Sequence, residues 1–147
     1  MKKSKTESFE IDNRLPLLAI FFMLIVAIPA LRIGWELITD TTGESIGYNL
    51  EMLSKGSFDS FLIPGIFLFG VLGLFNVVVM VLVFLNAKNH DWMVILIGLL
   101  VVVWLTVEGS LGIFPLNLHL PFYAIGSLII VVGLLMRVKK SPLGKTG

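Results

Sequence analysis

The stretch FLIPGIFLFGVLGLFNVVVMVLVFLN, Phe61 to Asn86, decides the fold: 26 residues without a charged side chain. A helix rises ~1.5 Å per residue, so ~20 mostly apolar residues cross a ~30 Å hydrocarbon core. The run is continuously apolar rather than alternating, which excludes a barrel strand. In lipid the backbone must bond to itself, so the segment is a helix. Three further segments of the same kind flank it: Leu15–Ile38, Trp92–Gly112 and Leu120–Val138. The expected fold class is all-α, an integral membrane four-transmembrane-helix bundle.

Composition points the same way. Of 147 residues, 56% are hydrophobic and 14% charged, with mean hydropathy +0.96. Soluble domains carry ~25% charged and ~45–50% apolar residues. Between Phe61 and Met136 the only charged residues are Lys88, Asp91 and Glu108. This excludes a soluble enzyme, a disordered chain and a nucleic-acid binder. Cysteine is absent, which excludes a disulfide scaffold, an iron–sulfur site, a thiolate zinc site and dithiol chemistry. The first apolar segment has 24 residues, too many for a signal-peptide core of ~7–15, and no A-x-A site follows it. It reads as a retained first span.

Lysine and arginine set the expected orientation. One side holds Lys2, Lys3, Lys5, Arg14, Lys88, Arg137, Lys139, Lys140 and Lys145; the other holds Lys55 and Arg32. Nine against two places both termini inside, with cytoplasmic tails at 1–14 and 139–147 and an outer loop at 39–60. That loop is acidic, with Asp40, Glu44, Glu51 and Asp59 against Lys55. Within it Ile46, Leu50 and Leu53 fit a short amphipathic surface helix; a plain polar loop is an equal alternative. Asn86–Asp91 reads as a tight turn joining spans two and three. Small residues mark packing seams: Ala30 with Gly34, Gly98 with Leu105 and Gly112, Gly126 with Gly133, and Gly70 with Gly73. Pro29 is expected to free the Ile25 carbonyl and kink the first helix.

Charged groups inside spans are functional candidates by default. Three exist here: Arg32, Glu36 and Glu108. Counted from the inner ends of their helices, Arg32 lies at ~25 Å and Glu108 at ~24 Å, with Glu36 one turn further out. The functional reading is an outward-facing pocket of Arg32, Glu36 and Glu108, rimmed by His119, Asn117 and Tyr123. It would bind an anionic lipid head group or small carboxylate, or hold a proton-carrying carboxyl. The competing reading, favoured by closeness to the interface, is a structural ion pair whose side chains reach toward water. Asn76 is expected to hydrogen-bond between helices. No cofactor or metal is expected. His90 and His119 lie a membrane thickness apart and cannot share a haem iron. His119 with Glu108 offers two metal ligands where three or four are usual. Gly144-Lys145-Thr146 lacks the first glycine of a P-loop, since position 139 is Lys.

Three short stretches, Phe61-Leu-Ile-Pro-Gly65, Trp104-Leu-Thr-Val-Glu108-Gly109 and Leu120-Pro-Phe-Tyr-Ala-Ile-Gly126, resemble uncharacterised small four-helix bacterial integral membrane proteins. The resemblance spans residues 61–136. It implies a bacterial cytoplasmic (inner) membrane location and brings no activity with it. Four spans with short loops leave little room for a catalytic domain. The expected function is therefore a non-catalytic accessory or lipid/partner-binding protein. The alternative is a small transporter subunit or membrane enzyme using the Arg/Glu pocket. Expected partners are membrane lipids, and a second copy or another membrane protein, but no nucleic acid.

Overall fold

The computed structural model describes residues 5–53, 58–111 and 116–140, with side chains from Arg14 onward except those of 111–118. Every regular element described is helical. The order is α1 (Lys5–Thr39), two 3₁₀ turns (Glu44–Ile46 and Leu50–Leu53), α2 (Leu62–Ile66), a π-helical segment (Phe67–Phe75), α3 (Asn76–Phe84), α4 (His90–Leu111) and α5 (Leu116–Lys140). Elements α2, π and α3 follow one another directly as the second span. Four helices are long and apolar enough to cross a membrane: Arg14–Thr39, Leu62–Phe84, His90–Ser110 and His119–Lys140.

The spans form a ring. The first packs on the second and fourth, and the third packs on the fourth and, through α3, on the second. The core face of α1 is Ala19, Met23, Val26, Ala27 and Ala30, with Val79, Val94, Ile97 and Ile129 opposite, all nearly or fully buried. Only 33–39% of each span's apolar window is buried inside the bundle. The outer faces are nonetheless apolar, with Ile28, Phe84, Val103 and Val138 each more than half exposed. A helix that is hydrophobic all round is a buried or membrane-spanning helix. In water this surface would far exceed the few hundred Å² that soluble monomers expose.

Glycines set how closely the helices approach. A Cβ on Gly98 would sit 2.8 Å from the Gly126 carbonyl oxygen and 2.9 Å from the Ile130 nitrogen, and one on Gly133 would sit 3.0 Å from the Ile95 nitrogen. The backbones of α4 and α5 are thus in contact at these seams, as small-residue packing requires. A Cβ on Gly34 would collide with the Phe69 backbone, where α1 meets the π segment.

The structure departs from the sequence reading in several places. Helix α1 begins at Lys5, ten residues before the expected start of the first span, and is continuous to Thr39 with Pro16 and Pro29 inside it. Lys5, Glu7 and Glu10 of its first turns are good helix formers. The loop between the first two spans makes two separate 3₁₀ turns instead of one amphipathic helix, because Gly47 takes a left-handed conformation (φ 79°) between them. Leu53 is buried beneath the loop and Leu50 is exposed. The π segment has no counterpart in the sequence reading. Lys55, Gly112, Pro115 and the side chain of Asn117 lie outside the described residues.

Candidate functional site

At the loop end of the bundle the four spans enclose a cavity of about 250 Å³. Its walls come from every span: Ala30 and Ile33, Leu68 and Leu72, Val101 and Trp104, and Phe122. Leu68 and Leu72 lie in the π segment, whose wider i→i+5 turn changes which side chains face inward; such insertions recur at functional sites. Phe67 of the same segment stacks on Trp104, centroids 4.4 Å apart and planes 17° from parallel, joining spans two and three.

The polar part of the wall is Glu108, His119 and Tyr48. His119 Nε2 lies 3.5 Å from Glu108 Oε2, the two side chains being 4% and 12% exposed. That separation exceeds the ~2.7–3.2 Å of a good N–H···O bond. A carboxyl group carries lone pairs on both oxygens, so Glu108 retains accepting capacity toward the cavity. Trp104 stands one turn before Glu108 on the same face of α4. Its buried indole Nε1 is directed at the Glu108 carboxyl.

The loop between the first two spans brings Tyr48 to this place. The Asp40 carboxylate accepts from Thr42 Oγ1 (2.6 Å), Thr42 N (3.1 Å) and Ser45 N (2.8 Å). These bonds, the Thr42 hydroxyl's first, hold Asp40 down to a pKa of about 2. The chain then turns at Gly43 (φ 77°), where a Cβ would lie 2.8 Å from Tyr48 Cβ. Phe61 N donates to Thr41 O at 2.9 Å, and the Tyr48 and Phe61 rings meet at 5.5 Å. Burial, and secondly the Glu108 charge, push the Tyr48 phenol up to about 12, so it stays a neutral donor.

The sequence candidates divide. Glu108 and His119 come together at the cavity. Arg32 and Glu36 do not join them: Arg32 Nε pairs with Glu36 Oε1 at 3.3 Å along one helix face, with the Arg32 side chain 79% exposed. Tyr123 is a fastener between helices, its hydroxyl donating to Thr106 Oγ1 at 3.0 Å. Asn76 is fully buried; its Nδ2 donates to the carbonyls of Met23 on α1 and Leu72 in the π segment, both at 3.2 Å. The sequence reading missed Trp104, Phe61 and the inward role of Tyr48. Trp104 was accessible through its i,i+4 relation to Glu108; the other two depend on the loop's path.

Among the described residues no group of three or more His, Cys, Asp or Glu is placed to hold a metal ion. No protein-family model matches the chain, and neither a curated protein nor a solved structure matches it.

Proposed function

We propose that this chain is a non-catalytic multi-pass protein of the bacterial cytoplasmic membrane, both termini inside, that binds a single-chain membrane amphiphile in the loop-end cavity. The orientation rests on the nine-to-two distribution of Lys and Arg, and the membrane on the four candidate spans. The cavity carries the ligand reading. It is apolar on all sides and polar at one place, the Glu108–His119 pair with Tyr48 beside it. Sites for small molecules have this build, a mostly apolar wall with a few placed polar groups. Drug-sized ligands occupy ~300–1,000 Å³. A cavity of about 250 Å³ therefore suits one chain segment and its head, not a whole phospholipid. A hydroxyl head would donate to Glu108 and accept from Tyr48.

A transporter subunit or membrane enzyme built jointly on Arg32, Glu36 and Glu108 is the weaker proposal, since Arg32 is directed away from the cavity.

The test is native mass spectrometry of the detergent-solubilised protein titrated with monoolein, a single-chain amphiphile with a hydroxyl head. Wild type is expected to take one molecule specifically. Val101→Phe, which fills the cavity, should abolish binding, and Glu108→Leu should weaken it at least tenfold. Equal binding by all three proteins would overturn the reading.

A further inference from the structure

The wall of the loop-end cavity combines one acid with several aromatic rings. Among the described residues its lining holds no lysine and no arginine. The acid is Glu108. The histidine in the wall, His119, is charged only when protonated. Arg32, at a similar depth on α1, is engaged with Glu36 at 3.3 Å, with its side chain 79% exposed.

The opposite end of the bundle, where α1 starts and α5 ends, shows a buried carboxylate for which the protein supplies its own cations. Asp91 has Arg137 Nη1 and Lys140 Nζ each at 3.6 Å. Glu108 has the indole N–H of Trp104 directed at its carboxyl and an imidazole nitrogen at 3.5 Å. Neither is a permanent cation. Burying an ionised carboxylate is costly unless an opposite charge accompanies it. A cationic ligand brings that charge into the cavity.

The rings point to the same class of molecule. Tyr48, Phe61, Trp104 and Phe122 all line the cavity. Tyr48 and Phe61 pack on each other with centroids 5.5 Å apart, and Trp104 is fixed by its stack on Phe67 at 4.4 Å. The face of an aromatic ring is negative and attracts a cation lying over it, most strongly for Trp and when the cation is desolvated. In a volume of about 250 Å³, a head group at Glu108 sits among these rings. A neutral ligand would use the apolar wall, but the acid in that wall would only add a desolvation cost. An anionic head would be repelled by it. A hydroxyl head fills a lone pair of Glu108 and leaves the charge uncompensated. A protonated amine does both, donating N–H bonds and supplying the charge.

We propose that the loop-end cavity is selective for an organic cation, a protonated alkylamine whose N–H groups donate to Glu108, whose charge faces the rings of Tyr48, Trp104 and Phe122, and whose single chain lies along Ala30, Leu68 and Leu72. This rests on the reading of the cavity as a ligand site and specifies the class of its ligand.

The experiment is isothermal titration calorimetry of the full chain in a non-ionic detergent at neutral pH, with octylamine, octanol and octanoate. The heat measured with Val101→Phe, whose cavity is filled, is subtracted as the contribution of the micelles. Octylamine should bind at least about tenfold tighter than octanol, and octanoate should not bind. Glu108→Gln should bring octylamine down to the affinity of octanol. Glu108→Asp keeps the charge and should retain the preference, which keeps the test open if the Gln variant is unstable. Phe122→Leu removes a ring and keeps the wall apolar; it should weaken octylamine about threefold and leave octanol unchanged. Glu36→Gln removes an acid of α1 that does not line the cavity, and should change nothing. Octanol or octanoate binding as tightly as octylamine overturns the proposal and leaves the cavity a ligand site. An equal loss on Glu36→Gln overturns it as well, by showing attraction to surface charge. If neither these three compounds nor monoolein binds, the ligand-site reading itself fails.

Discussion

Each end of the bundle holds one buried carboxylate, and the two are treated in opposite ways. At the terminal end, Asp91 faces two permanent cations, Arg137 and Lys140. At the loop end, Glu108 faces an imidazole and, with a phenol, lines the cavity. Burying a charge costs several kcal/mol unless it is paired and hydrogen-bonded. Asp91 meets that condition within the protein. Glu108 meets it only in part, through a partner at 3.5 Å. A carboxylate satisfied by fixed cations is a fastener, and one left with accepting capacity toward a cavity is a receptor for something else.

Variants can break this contrast. The largest effect is expected at the terminal end. Arg137→Gln with Lys140→Gln leaves Asp91 buried without compensation. Breaking a fully buried pair costs ~3–5 kcal/mol; both cations here are about half exposed, so roughly 2 kcal/mol is expected. Thermal unfolding in detergent reads it, and adding Asp91→Asn should restore most of the loss. If it restores nothing, Asp91 is not the group the cations serve.

Next in size is Glu108→Gln. The amide keeps the shape and removes the charge, so stability should change by less than about 1 kcal/mol, while monoolein binding falls. A stability loss as large as that of the terminal-end double variant would make Glu108 a fastener too, and the contrast would disappear.

Arg32→Leu should be smaller still. Exposed i,i+4 pairs contribute ~0.3–0.5 kcal/mol, and Arg before Glu is the weaker order. A double-mutant cycle of Arg32→Leu with Glu36→Gln should give that value. The cycle of Arg32→Leu with Glu108→Gln should give zero within error, and a coupling above about 1 kcal/mol would reunite the two clusters.

The smallest effect is confined to the loop between the first two spans. Asp40 has its pKa lowered from 3.8 to about 2. Its contribution is therefore complete above about pH 4 and is lost as pH falls through about 2. The protection factor of the Ser45 amide in hydrogen exchange should hold down to pH 4 and fall below it. Asp40→Asn should remove this dependence without altering the spans.

The split between Arg32 and Glu108 was partly legible in the sequence. At ~100° per residue, Arg32 lies two positions from both Ala30 and Gly34, about 200° around the helix from each. The side chain midway through a small-xxx-small seam points away from the packed face. Glu36 stands in the same relation to Gly34. Glu108, by contrast, is three residues after Leu105 on the α4 seam, about 60° away, and so close to the packed side. Equal depth suggested a common pocket; angle around the axis separates the groups. The π segment was not legible, because no local residue pattern specifies it. Gly70 and Gly73 permit a wider turn, but the contact of Gly34 with the Phe69 backbone belongs to two helices at once. Tyr48 belongs to the loop between the first two spans, and only the Asp40–Gly43 turn aims it at the cavity.

The sequence by itself determined the number of long apolar helices and the few ionic groups within them. Those properties run along a helix axis, and the uninterrupted apolarity of Phe61–Asn86 is enough to set them. The tertiary structure decided which groups meet. It brought His119 of α5 to Glu108 of α4, drew Arg137 and Lys140 onto Asp91, and left Arg32 on the outer face of α1. Pairing depends on rotation about each helix axis and on the packing of four helices together, and neither is fixed by any one segment alone.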